Sequence, residues 1–130
     1  MDLIHIPMSP GELLDKITIL EIKSERMDDE AKLANVRREL DLLNATWADA
    51  VTPDETIERI HRELKAINEQ LWEIEDDIRD KERLKEFDER FVELARAVYF
   101  TNDKRSQVKK ELNLHLGSQI IEEKSYQDYS

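Results

Sequence analysis

Trp72, Glu75, Asp76 and Arg79 recur at helical spacing, so an indole, two carboxylates and a guanidinium share one stripe. Such a stripe can grip an anionic group through its cation, a metal ion through its carboxylates, or a ring against the indole. Arg96, Tyr99 and Asp103 form a second mixed stripe, and Glu12 and Lys16, with Asp15 close by, a third. In a helical bundle three such stripes converge on one polar pocket. The alternative is interhelical ion pairing that fixes register, as charged residues flanking an apolar seam often do. A ligand site would then draw on Lys16, Trp72, Arg79, Arg96, Tyr99 and Asp103, and would take a small polar or anionic (phosphorylated) group, or a partner's helix. For Trp72, packing beneath a docked tail competes with stacking on a ligand, and buried aromatics favour the first.

A catalytic reading starts from the acidic pairs. Glu12-x-x-Asp15 and Glu73-x-x-Asp76 resemble the paired acidic helices of all-α nucleoside triphosphate pyrophosphatases, where carboxylates hold Mg²⁺ against phosphates. A Mg²⁺-dependent phosphohydrolase acting on a nucleotide or nucleotide-sugar would place its metal on Glu12, Asp15, Glu75 and Asp76. The pattern is short, and 31 acidic residues make chance matches common. Asp76-Asp77-x-x-Asp80 matches an aspartate-rich Mg²⁺ motif of folds that need far more chain. His5, His61 and His115 have no i, i+4 pairing for zinc, and no glycine-rich phosphate loop or Ser-His-Asp order is present. The non-catalytic reading requires no cofactor.

Composition narrows the classes. A length of 130 residues suits one helical domain, 1–130, and 39% charged residues against an ordinary ~25% suits long solvated helices. A net charge of −11 repels nucleic acid and anionic lipid. The nearest basic patch, Lys104, Arg105, Lys109 and Lys110, is diluted by Asp103 and Glu111 and reads as a solvated face. The chain has no Cys, no run approaching the ~20 apolar residues of a membrane span, and an acidic start unlike a signal peptide. A cytoplasmic location is expected, in the host's cytoplasm if the protein is viral.

The elements that must position these residues are helical. Ser9-Pro10-Gly11-Glu12 reads as a capping box, and Thr52-Pro53-Asp54-Glu55 repeats the device with Thr52 as cap. The first helix runs on Leu13, Ile17, Leu20 and Met27. A break at Met27–Glu30 leads to a seam of Leu33, Val36, Leu40, Leu43 and Trp47. Ile57, Ile60, Leu64, Ile67, Leu71, Ile74 and Ile78 keep strict heptad spacing, long enough to serve a homodimeric coiled coil as well as an intrachain core. An uninterrupted helix from Pro53 to Phe100 would be about 70 Å long, so a break is expected between Arg79 and Asp88. There Asp88 would cap the next helix, with Phe87 and Val92 as a hydrophobic staple. Thr101-Asn102 reads as a further junction, before a last helix closed by Gly117. The expected fold is all-α: an antiparallel bundle of four to five helices with an ordered C-terminal tail.

Four ordered stretches carry a resemblance. They are Ser9–Leu20 (SPGELLDKITIL), Leu71-Trp72 with Ile74-Glu75-Asp76 and Ile78-Arg79, Leu94-Ala95-Arg96 with Val98-Tyr99 and Asn102-Asp103, and Glu122–Tyr126 (EEKSY). Together they resemble a small family of uncharacterised bacterial and bacteriophage proteins, over nearly the whole chain. The resemblance implies an all-helical domain of unknown function, with no activity and no site residue assigned.

Overall fold

The computed structural model describes residues 1–129, which form four α-helices and no strand: α1 (Pro10–Arg26), α2 (Glu30–Ala50), α3 (Glu55–Leu84) and α4 (Glu89–His115). Polar pairs fix the directions. Gly11, Glu12 and Asp15 meet Asn113, Lys109 and Arg105 in turn, so α1 and α4 are antiparallel. Asp54 meets His115 and Asp77 meets Arg90, so α3 and α4 form an antiparallel hairpin. Glu21, Glu25 and Arg26 meet His61, Lys65 and Glu69 in ascending order, so α1 runs with α3. α2 folds back along α1 and touches neither backbone of the hairpin.

The core is small. Leu14, Ile57, Ile60, Leu64 and Leu112 form its buried centre, with Trp47 and Val51 from the end of α2 packed against it. Only the first half of the Ile57–Ile78 seam is buried; Ile67, Leu71, Ile74 and Ile78 are half-covered. The reason is length: α3 has 30 residues and α4 has 27, whereas α1 has 17 and stops short of the hairpin's far end.

Helix ends follow local chemistry. The Ser9 hydroxyl accepts from the Glu12 amide, with Pro10 at the first helical position. Asp29 and Asp88 cap α2 and α4 through the Lys32 and Phe91 amides. The second capping box is displaced by two residues: Asp54, not Thr52, accepts from the Ile57 amide. A carboxylate is as good a cap as a hydroxyl, and Asp54 is also held by His115 at 2.8 Å. α3 ends at Lys85 in the left-handed region (φ 56°), and Phe87 packs edge-on against Phe91 and lines one shallow depression with Val92.

One expected junction is absent. α4 runs unbroken through Thr101 and Asn102. Its inward stripe is Leu94, Val98, Thr101, Arg105, Val108 and Leu112, alternating steps of four and three; Thr101 and Arg105 interrupt the apolar signal without interrupting the helix. Four helices, not five, complete the bundle, and Gly117 (φ 64°) follows the C-cap Leu116. From Ser118 the tail is irregular and lies along α4. Tyr129 sets its ring against Tyr99 and Phe100, at 5.1 and 4.9 Å, and its hydroxyl donates to Asp103. None of these helices is long and apolar enough to cross a membrane.

Candidate functional site

α1, α3 and α4 each bring polar residues to one level of the bundle. The carboxylate of Asp15, only 1% exposed, sits among them. Arg105 donates to it twice, from Nε at 2.8 Å and from Nη2. The Asn68 carboxamide donates to the same carboxylate and to the Thr18 hydroxyl, each at 2.9 Å. That hydroxyl donates in turn to the Asp15 carbonyl at 2.8 Å. Burial opposes the charge on Asp15, but the Arg105 and Asn68 hydrogen bonds and the nearby Lys109 outweigh it and hold the carboxyl below its usual range. No buried side-chain nitrogen or oxygen among the described residues is left unsatisfied.

Two openings lead outward from this cluster. One is a groove of about 460 Å³ lined by Ile19, Ile22, Leu71, Trp72 and Val98, with Asn68, Glu75, Asp76, Asn102 and Arg105 as its polar members. The other, about 290 Å³, is almost wholly polar: Glu12, Asn102, Arg105, Ser106, Lys109, Glu122 and Lys124. Asn102 and Arg105 belong to both walls. In the polar cleft Lys109 is 12% exposed and reaches three carboxylates: Glu12 at 2.7 Å, Glu122 at 3.6 Å and Asp15 at 3.9 Å. Glu122 comes from the tail and also lies 3.9 Å from Lys124.

The residues singled out by spacing are distributed unevenly over this geometry. Trp72, Glu75 and Asp76 do meet on the groove, and Trp72 forms its wall there; the tail lies instead on Tyr99 and Phe100. Arg79 pairs with Glu75 at 3.2 Å and is 79% exposed. Arg96 lies over the Phe100 ring. Tyr99 and Asp103 hold Tyr129 of the tail. Lys16 is half-buried and lines neither opening. The four carboxylates of the Mg²⁺ reading do not assemble: Glu12 and Asp15 are tied to Lys109 and Arg105, while Glu75 and Asp76 stand on the groove. Among the described residues no three Asp, Glu or His side chains come together to hold a metal ion.

Arg105 and Lys109 were hidden in what reads as a solvated basic face. They turn inward because both are spaced on the stripe that faces α1, at Arg105, Val108, Lys109 and Leu112. The available signal was a polar residue in phase with apolar ones, which Asp15, Asn68 and Arg105 each provide on a different helix.

A family model matches residues 4–129, and the chain therefore belongs to the family of unknown function DUF6165. No curated protein matches the chain, and no solved structure does.

Proposed function

We propose that this member of the family is a non-catalytic binding module whose polar cleft takes a small anionic group, a phosphate or carboxylate. The observation that carries the reading is the convergence of Arg105, Lys109 and Lys124 on one cleft, with a tail carboxylate, Glu122, held between two of them. Arg105 and Asp15 neutralise one another and form a fixed floor. Lys109 is anchored by Glu12 and still turns toward the opening. Glu122, half-exposed on an irregular tail, is the acceptor most easily exchanged, so an incoming anion takes its place without disturbing the buried cluster.

Calorimetric titration with inorganic phosphate tests this. Saturable binding is expected. Glu122→Gln should tighten it roughly fivefold, the weight of one partly exposed ion pair, and Lys124→Gln should weaken it. Because Lys109→Gln also disturbs the fold, the Lys124 variant is the decisive loss. Phosphate binding that ignores both Glu122 and Lys124 overturns the reading, as does an absence of saturable binding. Acetate in place of phosphate separates a carboxylate preference from a phosphate one.

A further inference from the structure

The apolar groove beside the polar cleft carries the opposite electrostatic sign. Asp76 stands on its wall with no hydrogen-bond or ion-pair partner among the described residues. Among the described residues Glu75 is partnered by Arg79 alone, itself 79% exposed. The one cation in the wall, Arg105, is neutralised by its two-point contact with Asp15. The uncompensated charge of the groove is therefore negative, and Trp72 lies one helical turn from Asp76 on the same wall. Ile19, Ile22, Leu71 and Val98 supply the aliphatic remainder.

We infer that this groove binds an aliphatic organic cation, an ammonium or guanidinium group on an alkyl stem. The cationic head lies against the Trp72 ring and accepts the Asp76 carboxylate as counter-ion, combining a cation–π contact with a charge-assisted hydrogen bond. The stem runs along Ile19, Leu71 and Val98, where burial of its methylenes adds to the contact. An anionic ligand would be repelled by Glu75 and Asp76, and a neutral one would leave Asp76 without a counter-charge. Trp72, Asp76 and the aliphatic wall take no part in the anion cleft; the two openings share Asn102 and Arg105, and Arg105 is held by Asp15 in both.

The probes are agmatine and cadaverine, titrated into the full chain carrying Trp47→Phe and excited selectively at tryptophan, so that Trp72 alone reports. Because Trp47 packs on the core, calorimetry on the unsubstituted protein runs in parallel. Both cations should bind saturably, with Asp76→Asn weakening them roughly tenfold, the weight of one charge-assisted contact. The uncharged 1,5-pentanediol, of the same stem length as cadaverine, should not bind. Phosphate at saturation should leave the cation titration in place. Equal binding of the diol and the diamine, undiminished binding by Asp76→Asn, or no saturation by either cation up to about 10 mM overturns the inference.

Discussion

Asp15 is buried where its charge needs a partner, and Arg105 supplies it, which makes the removal of Arg105 informative. Arg105→Gln leaves a buried carboxylate with Asn68 as its main remaining donor and should cost about 3 kcal/mol in urea unfolding. Arg79→Gln, at an exposed pair, should stay within about 0.5 kcal/mol. Comparable losses in the two variants would mean that the inward cluster is misplaced. The same pair sets an acid limb. Folding holds the Asp15 carboxyl below its unfolded value, so the unfolded chain takes up the proton first. The contribution is complete above the unfolded value of ~3.9 and drains away as pH falls through the lowered folded value. Urea midpoints measured from neutral pH down to acid should fall along this limb, and Arg105→Gln should flatten it. Gly11 offers a sharper test. A Cβ there would lie 2.6 Å from the Lys109 carbonyl and 2.9 Å from the Asn113 side-chain oxygen, whose acceptor already takes the Gly11 amide at 2.7 Å. Ala for Gly inside a helix ordinarily stabilises by about 1 kcal/mol; here overpacking should reverse the sign, to a loss of about 1–3 kcal/mol. A stabilised Gly11→Ala would show that α1 and α4 are not in close approach.

At the scale of elements, the caps separate two versions of the chain. Ser9→Ala should cost about 1 kcal/mol because it orphans the Glu12 amide. Thr52→Ala should melt as the parent does, whereas Asp54→Ala should lower the melting temperature by freeing both the Ile57 amide and His115. Lys85→Gly should stabilise by about 1 kcal/mol, since only the left-handed conformation at φ 56° is being relieved. These ends show how much was legible. Ser9-Pro10, Asp88 and the α1–α2 break could be read from residue types, because capping is local and each cap acts within three residues. The false junction at Thr101-Asn102 and the missed inward turn of Arg105 and Lys109, between the exposed Lys104 and Lys110, share one cause: apolar periodicity records a helix only where its inward stripe is apolar. On α4 that stripe passes through Thr101 and Arg105, so the signal lapses where the helix carries its buried polar group. The groove was legible in part, since Trp72, Glu75 and Asp76 do share it. Which cations joined the site was not, because that depends on the offset between α1 and α4, a tertiary property that no stretch of sequence encodes alone.

For the whole molecule, the short α1 leaves a two-helix projection whose far end exposes Leu84, Phe87 and Val92. The expected homodimer cannot use the entire Ile57–Ile78 seam, because Ile57, Ile60 and Leu64 are enclosed by Leu14 and Leu112. Pairing is expected instead along the distal hairpin, so light scattering at micromolar concentration should give twice 15.4 kDa, reduced to the monomer mass by Phe87→Asp. A monomer mass for the parent chain removes the dimer. The proposed anion cleft lies elsewhere, where α1, α4 and the tail meet, and on that proposal phosphate displaces the tail carboxylate of Glu122. The most direct test is a backbone amide spectrum recorded as inorganic phosphate is added. The account predicts saturable shifts confined to Glu12, residues 102–109 and the tail around Glu122–Lys124, with the tail signals moving furthest as Glu122 leaves Lys109. Shifts scattered over exposed basic residues of α2 and α3, such as Lys32, Arg37 and Arg79, or saturation with the tail signals unmoved, would contradict it.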